Sequence, residues 1–455
     1  MIGCRVTVRP IDRTYPVVAP GRTASSLPLP RVTKRAARVG SVKRATVTLA
    51  NNGPLLRKLS RPLLRLKPIL EVGKLVLVTR HVDVVEVLTR DEDFTVAEGN
   101  AATMDRVNGP FILGMDRSPQ YQRERSILER CIQPGDAGRI RALVAATAGE
   151  LVDGARARGR IDAVQGLARP AALRVVADYF GVPGPDEATM ARWMRAIFHE
   201  TFLNVGGDPE VRMAGEASGN EFHAYADQLI TRRRAQMDAG EQTPDDFLTR
   251  LVRLQGDPET RLSDEGIRRN VGGVVVGAVE TTSKATAHAI DQLLRHGDAV
   301  RRARTAAAAG EADEVGRYAF EALRFNPINP VLARHAARGA VIAAGTRRER
   351  YVPAGRTVYA AVLPAMFDPD VFDEPDEFRA DRPMSAYLHF GHGLHTCFGR
   401  FVNAIQIPEL TAALLRLENL RLAPGADGRI VYDGPFPDKL LLDFDAVPAE
   451  GRRRV

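Results

Sequence analysis

Cysteine is scarce: the 455 residues include only Cys4, Cys131 and Cys397. They are odd in number, far apart and form no C-x-x-C pair, which argues against a disulfide framework and fits a reducing compartment. Long hydrophobic runs are also missing. The longest near the centre, Val271–Val279, is too short for the ~30 Å hydrocarbon core of a bilayer, so no transmembrane segment is expected. There are no internal repeats. Acidic residues are scarce at one end: residues 1–75 hold 16 Lys/Arg and 2 Asp/Glu, which leaves 48 basic and 54 acidic residues for the rest. The net charge of +8 therefore comes from the N-terminal stretch, and the body is mildly acidic. A nucleic-acid partner for the whole protein loses its support. The remaining composition, 44% hydrophobic and 26% charged, is that of a globular chain able to bury a large core.

Residues 1–53 show no steady period. They are Arg-rich and acid-poor, like organelle transit peptides, but lack the apolar region of a secretory signal. We read them as a basic disordered extension, or a leader upstream of the true start, and residues 54–455 as a single domain. Leu55, Leu56, Leu59, Leu63, Leu64 and Leu66 recur at helical spacing among basic residues. That pattern predicts an amphipathic helix lying on the body or on a membrane surface. A strand at 74–79 and a short helix at 82–88 follow. Residues 94–118 are rich in Gly, Asn and Asp and carry Phe111, Ile112 and Leu113, which predicts a long loop with an apolar tip. Helical periodicity dominates 119–300 and returns at 312–325 and 400–417. Residues 330–390 are rich in Pro, Gly and Asp, with short strands such as 357–362, and Gly434-Pro-Phe-Pro437 reads as a turn between closing strands. The fold class expected is mainly α with a minor β part.

The densest chemistry lies in Phe390-Gly-His-Gly-Leu-His-Thr-Cys-Phe-Gly399. A thiolate is a strong, soft iron ligand. Gly391, Gly393 and Gly399 permit close backbone approach. A helix starting near 399 would aim its free N–H groups and positive dipole end at the sulfur and favour the thiolate. On the residues alone three readings stand: a heme-iron ligand, a small core cysteine, or a zinc site of His392, His395 and Cys397, for which no fourth ligand sits at finger-like spacing.

The segment resembles the heme-binding loop of the cytochromes P-450, F-G-x-G-x-H-x-C-x-G, at every fixed position: Phe390, Gly391, Gly393, His395, Cys397 and Gly399. The resemblance covers about residues 70–445. It implies the cytochrome P-450 fold, a helical bundle around heme b with small β-sheets. It also implies Cys397 as axial ligand of the iron and His395 as partner of a heme propionate. Three further segments agree in order. Glu321-Ala-Leu-Arg324 puts acid and base on one helix face. Most such pairs are solvated, but the resemblance makes this the buried pair behind the cysteine loop, with Arg382 of Phe378-Arg-Ala-Asp-Arg382 as third member. Gly277-Ala-Val-Glu-Thr-Thr282 interrupts an apolar helix, either as a breaker or because its polar groups serve something. It resembles the family's A/G-G-x-D/E-T-T/S motif, which implies Thr281 as hydrogen-bond partner of bound oxygen, Glu280 as proton relay and Thr282 beside them. Ala278 stands where glycine is usual. Asp116–Arg125 resembles the segment where the family has H-x-x-x-R for the heme propionates, here with Tyr121 in place of the histidine and Arg125 as the propionate candidate, and Arg334 falls where another propionate arginine is found. Surface solvation is the alternative for both arginines. Asn403, Ala404 and Gln406 replace the usual A-R-x-E, and Met366-Phe367 replaces Asn-Arg before Asp368-Pro369, which leaves the electron donor open.

The activity implied is insertion of one oxygen atom of O2 into a lipophilic small organic substrate by a cytoplasmic monomer. Electrons would come from a ferredoxin- or flavodoxin-type carrier. Substrate contacts are expected from Phe111, Ile112, Leu113, the segment 198–205, Val275, Val276, Val331, Leu332 and Phe436, all apolar, unless they simply belong to the core. A peroxide-consuming or hydroperoxide-rearranging heme-thiolate enzyme is the second reading, and a non-enzymatic heme-based sensor the third.

Overall fold

The structure, a computed structural model, describes residues 52–447 except 205 and 261. The expected N-terminal extension lies outside the described residues, apart from its last two positions. Helix α1 spans Gly53–Leu66, and Asn52 accepts the Leu55 N–H at its N-cap. The inner side of α1 docks on the body: Arg57 lies over the rings of Phe325 and Phe367 at 5.2 and 4.9 Å. A hairpin of β1 (Ile69–Val72) and β2 (Leu75–Val78) and helix α2 (His81–Thr89) follow.

The expected loop at 94–118 is instead a short strand, β3 (Phe94–Thr95), helix α3 (Ala97–Val107) and a single 3-10 turn, Ile112–Gly114. The segment 97–107 mixes good helix formers, three Ala with Glu98, Met104 and Arg106, with Gly99, Asn100 and Asp105, and its start is tied down from a distance. The Asp116 carboxylate accepts the Val96 and Ala97 N–H groups at 2.8 and 3.3 Å, which caps α3 from some twenty residues away. Met104 and Val107 bury its inner face.

Helices α4 (Pro119–Cys131), α5 (Ala137–Arg156), α6 (Arg169–Asp178), α7 (Glu187–Phe198), α8 (Pro209–Asp238) and α9 (Phe247–Leu254) build the helical body. Helix α10 (Asp264–Leu294) runs through its middle against α6, α7 and α8 on one side and against α12 (Ala312–Phe325) and α14 (Arg400–Leu415) on the other. The segment 277–282 does not interrupt α10: the helix is continuous over 31 residues. Between α10 and α12 lies α11 (Gly297–Ala308).

Strand β4 (Arg160–Asp162) belongs with the closing strands of the chain. After α12 come β5 (Leu332–Ala336), β6 (Ala340–Ile342), β7 (Arg350–Val352), β8 (Thr357–Ala360) and a one-turn helix α13 (Val362–Ala365). A five-stranded sheet has the order β1-β2-β8-β5-β3. The closing strands are β9 (Arg421–Leu422), β10 (Val431–Asp433), β11 (Phe436–Lys439) and β12 (Leu441–Asp443). The expected turn at 434–437 shrinks to Gly434-Pro435, because Phe436 and Pro437 already belong to β11. Proline is tolerated there because β10 and β11 form a two-stranded ribbon with open edges.

Candidate active site

The cysteine loop is a tight crossing held by its own backbone. The Cys397 N–H donates to the Phe390 carbonyl at 2.8 Å. Gly391 and Gly393 have φ of +69° and +72°, where side chains are strained. A Cβ at Gly393 would also lie 2.4 Å from the Leu88 carbonyl of α2. Gly399 is different: its φ is negative, and a Cβ there would make only ordinary contacts. Helix α14 begins at Arg400, as expected.

The Cys397 sulfur sits at that helix start, but the balance of effects differs from expectation. Burial pushes the thiol up, and the Gly399 and Arg400 N–H groups and the Arg125 and Arg400 charges only partly offset this. A bound cation beside the sulfur would oppose this and favour the thiolate. The zinc alternative finds no support: among the described residues, no three His, Cys, Asp or Glu gather in a position to hold a metal ion.

Around the loop lie buried and half-buried cationic and polar groups. Neither ring nitrogen of His395 has a hydrogen-bond partner. Burial, then the nearby Arg334 charge, holds its imidazole down at about 4. Arg334 is 8% exposed, and burial lowers its guanidinium to about 10. Its hydrogen bond goes to the Ala333 carbonyl at 2.8 Å, and no carboxylate ion-pairs with it among the described residues. Arg125 lies over the Phe398 ring at 5.3 Å, pairs with Glu129 at 2.6 Å, and lines a cleft of about 360 Å³ beside Cys397. Tyr121 is committed: its hydroxyl donates to the Leu394 carbonyl at 2.7 Å and braces the loop. That proton is therefore already committed and is not free for a propionate.

On α10, Glu280 is buried and clamped by two arginines that sequence reasoning did not find. Arg169 of α6 donates to it at 3.3 Å and Arg195 of α7 at 3.2 Å. A cleft of about 590 Å³ bounded by Arg169, Arg195, His199, Glu210 and Asp438 reaches this carboxylate. A buried acid needs a cation, but nothing in the local pattern says which. The Thr281 hydroxyl turns back to the Gly277 carbonyl, and a Cβ added at Gly277 would meet nothing within 4 Å. Thr282 faces the other way, towards α14, where it donates to Asn403 at 2.8 Å. It joins α10 to the helix that follows the cysteine.

Behind the loop, Glu321 and Arg324 are fully buried and joined by hydrogen bonds of 2.6 and 2.9 Å. Arg382 lies 3.5 Å from Glu321, and the Tyr387 hydroxyl donates to that carboxylate at 2.7 Å. Arg324 also donates to the carbonyls of Met366, Pro375 and Glu377, so it ties α12 to the segment before the cysteine.

The apolar candidates divide. Phe111 is packed so closely on α10 that a Cβ at Gly273 would fall 2.3 Å from its ring. Ile112, Val275 and Val276 are buried in the same core cluster, with Leu113 packed against it. Phe436 is held between Phe198, at 6.0 Å, and His199, at 5.5 Å. Leu332 lies 3.6 Å from the Cβ position of Gly391, while Val331 is 42% exposed. Val205 lies outside the described residues.

A family model described as cytochrome P-450 matches residues 70–309 and 319–441. The chain belongs to the cytochrome P-450 family. This P-450 is 28% identical over 343 residues to the cytochrome P-450 monooxygenase PikC of Streptomyces venezuelae, covering 74% of each chain. It is 29% identical over 389 residues to the biflaviolin synthase of Streptomyces coelicolor, covering 82% of this chain and 88% of that one. The vitamin D(3) 25-hydroxylase of Pseudonocardia autotrophica is 25% identical over 333 residues, covering 72% and 76%. The crystal structure of CalO2 matches with a TM-score of 0.75 at 25% identity, over 90% of this chain and 97% of that one.

As a family member the P-450 is an oxidoreductase of the monooxygenase type that holds heme b, uses O2 and binds a small molecule, in a family whose members draw electrons from redox partners. The residues fit that cofactor. A sulfur at a helix start suits the iron, and the buried Arg334, a cation without a carboxylate partner, and His395, whose ring N–H lacks an acceptor, suit the propionates.

Proposed function

We propose that this P-450 inserts one oxygen atom into a lipophilic small organic substrate, with electrons from a ferredoxin- or flavodoxin-type carrier. Cys397 would hold the iron, and His395, Arg334 and Arg125 the propionates. Bound heme supplies oxygen activation, with the thiolate donating electron density that favours O–O cleavage. The chain's own part is proton supply and exclusion of bulk water. The observation that carries the reading is the pairing, on one turn of α10, of a buried carboxylate reached from outside with a hydroxyl turned towards open space at Gly277.

Thr281 spends its proton on the Gly277 carbonyl, so its lone pairs are left to accept from a donor beside it. Glu280, one residue before it and lining the cleft, would exchange protons with that cleft, and Arg195, half-buried and also paired with Asp433 at 2.9 Å, is its outer neighbour. A peroxide-consuming enzyme or a heme sensor has no need of this arrangement. We read the protein further as a cytoplasmic monomer, with one domain over 54–455 and a basic extension before it. Leu332 and Phe436 remain the substrate contacts that the packing supports best, next to the glycine loop and on the ribbon over α10.

The test is the carbonyl spectrum of the reduced protein, followed by turnover with ferredoxin or with peroxide as the oxidant route. The red-shifted band of a thiolate-ligated heme is expected in the wild type, and Cys397→Ser should lose it. A wild type without that band sinks the assignment of Cys397. Turnover by peroxide alone would overturn the electron-carrier reading.

A further inference from the structure

Among the described residues, six of the thirteen large apolar side chains left exposed fall between Leu55 and Val82, and three of them lie on α1. Leu55, Leu59 and Leu66 are 41%, 56% and 84% exposed, and Pro62 is exposed with them. At 3.6 residues per turn these four positions fall within roughly 60° of one another, so they form one outward stripe. The inner side of the helix is already satisfied by Leu64, Gly53 and Arg57 against the body. A second apolar stripe on a helix already docked by its first is not needed for folding.

Basic side chains border it. Lys58 and Arg65 lie along one flank with Arg61, which pairs with Asp376 of the body, and Lys67 follows the last turn, all exposed, while α1 itself contains no acidic residue. Val72 and Leu75, 61% and 45% exposed, stand at the tip of the β1–β2 hairpin, joined by Gly73 and Lys74. We propose that α1, together with this hairpin tip, docks the protein on an anionic lipid surface, with the leucine stripe in the interface plane and the lysines and arginines at the headgroups.

Charge argues for lipid over the other occupants. The chain's own residues 1–52 carry ten basic residues and one acidic residue, so they would be repelled by the same flank. A second copy would bring like charge to like. An anionic leaflet attracts both the flank and the preceding stretch.

The experiment is flotation of the full-length holoprotein with vesicles of phosphatidylcholine alone or mixed with phosphatidylglycerol, at low and high salt. Expected is about tenfold stronger binding to the anionic vesicles, weakened by salt. Leu59→Glu with Leu66→Glu should lower it severalfold with the heme spectrum unchanged, since both residues are exposed. Lys58→Gln with Arg65→Gln should lower binding to anionic vesicles only. Absence of binding to anionic vesicles overturns the proposal. So does binding that the leucine pair leaves intact, which would place the contact in the basic N-terminal stretch. A dimer of the wild type that the leucine pair dissolves would assign the stripe to a second copy instead.

Discussion

Thr281 and Thr282 are neighbours with opposite duties. Side chains one residue apart on a helix point about 100° apart, so only one of them can face the open space at Gly277. Thr281 is that one, while Thr282 is bonded to Asn403 of α14. We expect Thr281→Ala to leave substrate binding intact and to cut product formed per O2 consumed severalfold, with the excess released as peroxide or water. Thr281→Ser, which keeps the acceptor, should stay near wild type. Parallel assays of O2 uptake and product check both, and unchanged coupling in Thr281→Ala would remove the hydroxyl from proton supply. Asn403 also gives the altered sequence after the cysteine a physical role: it accepts the hydrogen bond that ties α14 to α10.

At the scale of an element, α3 shows a helix capped by a distant residue. Its own N-cap position is Val96, which offers no side-chain acceptor, and the Asp116 carboxylate takes that role from beyond the 3-10 turn. Asp116→Ala should cost about 1 kcal/mol and raise amide exchange across residues 97–107, measured by hydrogen–deuterium exchange mass spectrometry. Unchanged exchange would mean that burial of Met104 and Val107 alone holds the helix. Helix α10 makes the opposite case. Its glycines and polar residues suggest a break, yet it runs unbroken, because Phe111 and Phe222 pack where Gly272 and Gly273 leave room and Glu280 finds two arginines.

Across the whole molecule, buried ion pairs join elements far apart in sequence. Glu321 is held by Arg324, Arg382 and Tyr387 at once. Removing one member leaves an uncompensated buried charge. Glu321→Gln should destabilise the fold by about 3–5 kcal/mol and release heme at lower denaturant than the wild type, read by absorbance and circular dichroism together. Asp136 is a second junction. Burial alone would raise its pKa, but hydrogen bonds from Arg250 and Tyr179 bring it down to about 2. A carboxyl lowered in the folded state contributes stability above the unfolded value near ~4 and loses it as pH falls towards 2. Asp136→Asn should therefore be less stable than the wild type at pH 7, and the gap should close on acidification. A constant gap from pH 7 to 2 would mean the lost stability does not come from ionisation.

What the sequence determined by itself was local chemistry: a glycine-punctuated loop around Cys397, an acid and base one turn apart at Glu321 and Arg324, an acid and alcohol side by side at Glu280 and Thr281. These are legible because each acts through a spacing of a few residues. The helices were legible where their apolar period is regular, as at 312–325 and 400–415, and illegible at 97–107, where the cap comes from Asp116. Only the tertiary structure decided that Glu280 is clamped by Arg169 and Arg195, that Tyr121 braces the loop, and that burial outweighs the helix dipole at Cys397. Each of these depends on which distant group is brought within hydrogen-bonding reach and how much water is removed, and a chain pattern with a period of two or 3.6 carries no record of either.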